Sequence, residues 1–126
     1  MKFYTRKWVR PEDLNSRGTL FGGSLLKWID EEAAIYVSCQ LETKDIVTKY
    51  MSEIDFVSSA RLGDIVEMGM EAIAFGTSSI TVRCVVRKKS DKQPIITIDK
   101  IVFVRVDANG RPTPHGKTSP MDIDDE

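Results

Sequence analysis

The sequence predicts an α+β fold in which a curved antiparallel sheet of about five strands wraps one long central helix. Three observations predict it. A single long helical segment has strand-like segments before and after it, with none of the strand–helix alternation that builds a parallel sheet. That helix is apolar nearly all round, since Trp28 and Ile35 lie roughly opposite Leu26, Ala33 and Val37. Such a helix must be covered on most sides, which a curling sheet does and a flat one does not. Finally, "IVEMGMEAIAFGTSSITVRCVV" reads as a tight antiparallel hairpin.

Taken in order, "KFYTRKWVR" alternates well enough for a first strand, which ends at Pro11, and "RPEDLNSRGT" is a loop. From Gly22 or Gly23 to about Leu41 the chain reads as one helix. "IVTKYMSEIDFV" has β-branched and aromatic residues at strand density, and "SSARLGD" turns the chain back. In "IVEMGMEAIAF", Val66, Met68, Met70, Ala72 and Ala74 share one face, with Glu67 and Glu71 on the other. "GT" connects to "SSITVRCVVRKK", where Ile80, Val82, Cys84 and Val86 alternate with Ser79, Thr81, Arg83 and Arg87. After "SDKQP", the long apolar strand "IITIDKIVFVRV" runs to "DANGRP". Residues 1–112 form one domain, and 113–126, ending "DIDDE", read as a loose acidic tail.

Composition narrows the function. The 126 residues suit one domain with one core, and 41% hydrophobic with 29% charged content is that of a globular chain. A formal net charge of −1 argues against a broad nucleic-acid surface. No apolar run approaches the roughly 20 residues of a membrane helix, and the start has no apolar core of a signal peptide. Cys39 and Cys84 lie in apolar surroundings far apart in sequence, which suits reduced, buried thiols in a cytoplasmic protein. The only histidine, His115, falls in the tail, where it reads as idle, so a His-based triad or His-rich metal site has almost no material. There is no CxxC, P-loop or GxGxxG motif.

The segment "NSRGTLFGGSLLKWIDEEAA" carries the chemistry. At about 100° per residue, Asp30 lies within roughly 40° of Leu26 and roughly 20° of Val37, while Glu31 and Glu32 project roughly 100° and 160° away. A carboxylate on that face loses hydration, which is how general acids and bases are tuned. A structural aspartate that caps a loop or pairs with arginine fits the spacing equally well. Gly22 and Gly23 let a ligand approach the first helical turn, whose free N–H groups suit a developing oxyanion. Gly22 and Asp30 are separated by roughly 12 Å of helix rise. A site that uses both must take them from two copies of the helix, across a two-fold axis.

The pattern N-x-x-G-x-x-F-G-G-x-x-L-x-x-x-D, met by Asn15, Gly18, Phe21, Gly22, Gly23, Leu26 and Asp30, resembles the hotdog-fold acyl-CoA thioesterases of the YciA-type and brain acyl-CoA hydrolase group. The likeness extends along most of the chain, through "GDIVEMGMEAIAFGTSSITVRCVV" and "FVRVDANGRPTP". It implies that Asp30 is the catalytic carboxylate, as general base or nucleophile, that Asn15 assists at the thioester or water, and that the Gly23 N–H polarises the carbonyl. It further implies that the turn Gly76, Thr77, Ser78 and Ser79 lies along the pantetheine and phosphates of CoA. Two departures from the pattern are Ser59, where relatives commonly have proline, and Lys49, where they usually carry an apolar or small residue. Arg61, Arg87, Lys88 and Lys89 are candidates for the CoA phosphates, or else ordinary solvated cations. The resemblance implies a homodimer with shared active sites, which relatives often assemble further, here as a trimer of dimers. No metal or cofactor is implied, CoA being part of the substrate. A hotdog hydratase normally wants a histidine in its site. The alternative from another class is a non-catalytic acyl-CoA-binding or regulatory module on the same fold.

Overall fold

The computed structural model describes residues 1–122. In chain order it contains β1 (Lys2–Trp8), a single 3-10 turn (Pro11–Asp13), α1 (Gly22–Leu41), β2 (Ile46–Met51), β3 (Asp55–Phe56), β4 (Ile65–Phe75), β5 (Ser79–Lys88) and β6 (Pro94–Arg105). All strands join one antiparallel six-stranded sheet, ordered β1-β4-β5-β6-β2 with β3 also on β6. The expected strand over residues 46–57 is therefore two strands. Ser52 causes the break: its hydroxyl accepts the Lys100 N–H at 3.1 Å and its own N–H donates to Lys100 O at 2.8 Å, after which the chain leaves the ladder until Asp55.

The helix buries Leu25, Ile29, Ala33, Tyr36, Val37 and Leu41 against Met68, Met70, Ile80, Val82, Ile101 and Phe103 of the sheet. Each large aliphatic side chain so enclosed contributes about 1.5–3 kcal/mol. The helix ends where Glu42 turns left-handed (φ 55°) and its N–H returns to Ser38 O. Within one chain the sheet covers only this stripe. Ile35 on the helix remains 57% exposed, and Val47 and Tyr50 on the edge strand β2 remain 47% and 54% exposed. The all-round cover that the sequence calls for is thus only half supplied by the chain itself.

Two positions in β4 depart from simple alternation. The register against β5 shifts between Ala72 and Ala74, so Ala74 is exposed instead of joining the core face. The Tyr36 hydroxyl accepts the Ala72 N–H there at 3.0 Å, holding the bulge to the helix. Glu67, on the outer face, is only 2% exposed. Arg87 Nε donates to its Oε1 at 2.8 Å, Lys92 Nζ to the same oxygen at 3.1 Å, and Arg6 Nε to Oε2 at 3.3 Å. Burial alone would raise the Glu67 pKa, but the hydrogen bonds and charges of Arg87 and Lys92 outweigh it and hold the carboxyl below its ordinary value.

The cysteines also differ from expectation in part. Cys84 is buried, and burial pushes its pKa up to about 12, whereas Cys39 stands exposed on the helix. Beyond Pro112 the chain is not loose where it is described. Residues 113–122 return across the domain, and His115 is buried, not idle. Backbone hydrogen bonds from this segment to the sheet, and from the Gln40 side chain to Met121, supply what composition could not announce. Residues 123–126 of the predicted tail lie outside the described residues. Among the described residues, no helix is long and apolar enough to cross a membrane.

Candidate active site

The loop before the helix is organised by Asn15. Its Oδ1 accepts the N–H groups of Arg17 (2.9 Å) and Thr19 (3.1 Å), and its Nδ2 donates to Thr19 Oγ1 at 2.9 Å. Gly18 takes φ 81°, the left-handed turn that closes this loop. Leu20 N–H then donates to Ala60 O at 2.8 Å, and Thr19 bridges Arg61, docking the loop on the 58–61 segment. A cleft results, lined by Asn15, Thr19, Gly22, Phe56, Ser58 and Ser59.

The helix opens onto this cleft without a side-chain cap, because its N-cap residue is Phe21. Serine, threonine, asparagine or aspartate would ordinarily take up a first-turn donor there. Both glycines lie under aromatic rings. A Cβ on Gly22 would lie 3.3 Å from Phe56 Cζ, and one on Gly23 would lie 2.7 Å from the ring of Phe21, which folds over it. The first turn therefore presents bare backbone N–H groups beside Asn15, an arrangement suited to an anion or a polarised carbonyl oxygen.

Asp30 lies two turns further along and does not line that cleft. It is half-buried, and its Oδ1 accepts the Thr48 hydroxyl from edge strand β2 at 2.7 Å. Thr48 was not marked by any sequence motif; only the antiparallel placement of β2 against the helix brings it there. Lys49, next to it, is exposed at a register irregularity between β2 and β6, and Ser59 lines the Asn15 cleft.

The turn Gly76–Ser79 lies at the other end of the sheet from Asn15. Gly76 N–H donates to Ser79 O at 2.9 Å, and a Cβ on Gly76 would sit 2.3 Å from Ser79 Oγ, so a larger residue there would turn the Ser79 hydroxyl to another rotamer. Arg87, Lys88 and Lys89 stand at the far end of β5 (Ser79–Lys88), roughly 30 Å from the turn at the rise of an extended strand. Arg87 is committed to Glu67 and stacks over Phe3 at 3.6 Å from the ring centroid. Lys88 and Lys89 make no recorded side-chain bonds among the described residues, and Arg61 is exposed beside the Asn15 cleft. One chain thus brings together Asn15, the glycine pair and Arg61. It keeps Asp30 and the β4–β5 turn apart from them, while the Arg87–Lys89 cations stand at the cleft's end of the sheet, where Arg87 pairs with Pro94 and the Ser58 hydroxyl donates to Pro94 O. Among the described residues, no cluster of three or more His, Cys, Asp or Glu is placed to hold a metal ion.

Comparison with known proteins gives this geometry a context. The family model of the Thioesterase superfamily matches residues 17–95. The uncharacterized acyl-CoA thioester hydrolase YkhA of Bacillus subtilis is 33% identical over 117 residues, which are 89% of this chain and 66% of that protein. The acyl-CoA thioester hydrolase YciA of Salmonella typhimurium is 30% identical over 115 residues, 86% of each chain. Among solved structures, the hexameric thioesterase y2039 from Yersinia pestis superposes with a TM-score of 0.82 at 27% identity, covering 90% of this chain and 93% of that one. The acyl-CoA hydrolase of Staphylococcus aureus, solved with butyryl coenzyme A, coenzyme A and coenzyme A disulfide, has a TM-score of 0.77 at 30% identity, covering 87% and 66%. The helix wrapped by an antiparallel sheet, the match over most of the domain and the relatives' identities together place this chain in the thioesterase superfamily, with the hotdog fold.

Proposed function

We propose that the protein hydrolyses acyl-CoA thioesters, releasing CoA and a free carboxylic acid, at sites shared between two copies of the chain. One copy supplies the cleft, the Gly23 N–H and Asn15. The other supplies Asp30, oriented by Thr48. The thioester carbonyl oxygen is polarised by the helix-terminal N–H, and water attacks the carbonyl carbon while Asp30 takes its proton, or Asp30 attacks first and water hydrolyses the resulting anhydride. The tetrahedral oxyanion rests on the N–H donors until the thiolate of CoA departs and is protonated. Asn15 keeps the loop in place and offers its remaining amide hydrogen to the substrate. The turn Gly76–Ser79 runs along the pantetheine, with Arg61 or Lys88 and Lys89 as candidate partners for the phosphates. Arg87 is a weaker candidate, because Glu67 already holds it.

The observation that carries this reading is the pairing, on one helix, of an uncapped N-terminus at Gly22–Gly23 with a half-buried Asp30 at an open sheet edge. The exposed Val47 and Tyr50 of edge strand β2 support a second copy on that side. Hexameric relatives support further assembly, as a trimer of dimers. For the Staphylococcus aureus hydrolase, alanine variants have been made at an aspartate, an asparagine and a threonine, the residue types of Asp30, Asn15 and Thr48. The chemistry asks for no metal and no cofactor, and the two unpaired cysteines support a cytoplasmic setting.

The test is thiol release from a series of acyl-CoAs of increasing chain length, followed with a thiol-reactive dye. Saturable turnover of at least one acyl-CoA is expected. A protein that binds acyl-CoA tightly yet releases no thiol would be the non-catalytic module instead.

A further inference from the structure

Only three polar or charged residues in the described chain are buried, Gln40, Glu67 and His115. Two of them serve the segment after Pro112. His115 N–H donates to Thr77 O at 3.0 Å, and its ring Nε2 lies 2.8 Å from Ser79 O. Lys117 N–H donates to Nδ1 at 3.0 Å, which makes Nδ1 the acceptor and Nε2 the protonated nitrogen that donates to Ser79 O. Phe75 meets the imidazole edge-on at 6.2 Å. Further along, Gln40 closes a reciprocal pair with Met121: Nε2 donates to Met121 O at 2.9 Å, and Met121 N–H donates to Oε1 at 2.8 Å. Lys117 pairs with Glu42 at the helix end, and Glu42 is held below its ordinary pKa by that bond. Residues 113–121 therefore form a strap from the β4–β5 turn to the C-terminal end of the helix.

Buried polar groups cost free energy unless they are bonded, so a strap needed only for packing would be served by apolar side chains. These bonds instead fix directions. The carbonyls of Thr77 and Ser79 point into the strap, and Ser78 O accepts the Arg105 N–H at 2.8 Å. Because a trans peptide holds its C=O and N–H on opposite sides, tying Thr77 O to the strap turns the Ser78 N–H away from it. No acceptor for the N–H of Thr77 or Ser78 is recorded among the described residues.

We propose that the strap, through His115 and Gln40, is a positioning device that sets the β4–β5 turn so that its outward Ser78 N–H meets the CoA portion of the substrate. His115 and Gln40 are positioning residues, touching no reacting atom. This inference rests on the acyl-CoA reading above. It predicts a specific kinetic split, because a turn that holds the carrier matters only to substrates that have one.

The experiment compares wild type, His115→Ala, His115→Gln and Gln40→Met with an acyl-CoA and with the same acyl group on N-acetylcysteamine, which lacks the nucleotide and most of the pantetheine. Calorimetric titration with free CoA runs in parallel. His115→Ala and Gln40→Met should raise KM for acyl-CoA by about 10-fold, the equivalent of roughly one lost positioning bond, and weaken CoA binding in step. Their kcat and their rate on the N-acetylcysteamine thioester should stay near wild type. His115→Gln, whose amide can reach Ser79 O from the place of Nε2, should recover most of the loss. Folded variants with unchanged KM and CoA affinity, or variants that lose both substrates equally, would overturn the proposal. If His115→Ala does not fold, Gln40→Met decides alone, since it removes the second anchor and keeps an unbranched side chain in the helix. Wild type that binds CoA but turns over neither thioester would count against the hydrolase reading, and the strap would then stand or fall on the binding data.

Discussion

Replacing Asp30 with asparagine is expected to lower kcat for acyl-CoA hydrolysis by roughly 10²–10⁴-fold, the usual worth of a positioned acid or base. The amide oxygen can still accept the Thr48 hydroxyl that now reaches Oδ1 at 2.7 Å, so the local structure should persist while the proton acceptor is lost. Binding of a non-hydrolysable acyl-CoA analogue should survive, and steady-state kinetics with analogue titration checks both parts. Near-normal turnover in this variant, together with a dead Glu31→Gln protein, would mean that the helix presents a different carboxylate to the substrate.

The largest effect on stability is expected at Glu67. Glu67→Gln removes the charge that three cations share while leaving Arg87, with 28% of its side chain exposed, and the more exposed Lys92 and Arg6 to be rehydrated. The loss should be about 2–3 kcal/mol, below the full cost of stranding a deeply buried charge. That corresponds to a melting temperature lower by roughly 10 °C. The pH dependence follows from the direction of the shift. The folded carboxyl titrates below its ordinary value of 4.5, so it contributes stability above that pH. The contribution is lost as the pH falls through the depressed folded value. Thermal melts from neutral pH down to acid should show a shallower acid limb for Glu67→Gln than for wild type.

The sequence made the fold legible because its strongest signals are periodic. The β5 alternation of Ile80, Val82, Cys84 and Val86 reappears as a buried row, and the helix runs from Gly22 to Leu41 as its apolar pattern requires. What escaped detection depends on contacts between distant segments. The strand break at Ser52 needs Lys100, and the burial of Glu67 needs cations from β1, from β5 and from the turn after it. The strap needs Gln40, whose partner stands 81 residues away. Of the candidate site, the Asn15-to-Asp30 motif was readable because all of it lies on one loop and one helix. Thr48 and His115 were not, since neither belongs to a local pattern. Arg87 is adjacent in sequence to Lys88 and Lys89, but its engagement with Glu67 and Phe3 depends on residues of β4 and β1.

In the proposed enzyme, Asp30 from one copy and the helix start of another act on the same thioester. Mixing two disabled chains tests this arrangement. One carries Asp30→Ala, and the other carries Gly23→Pro, which removes the backbone donor from the first helical turn. Each homo-oligomer should be nearly inactive. In a heterodimer isolated by two different tags, one site combines both lesions and the other carries neither, so thiol release should return to as much as about half of the wild-type rate. Circular dichroism and sizing establish beforehand that both variants fold and associate. Well-folded heterodimers as inactive as their parents would contradict the account, because they would show that the carboxylate and the helix N-terminus do not meet across two chains.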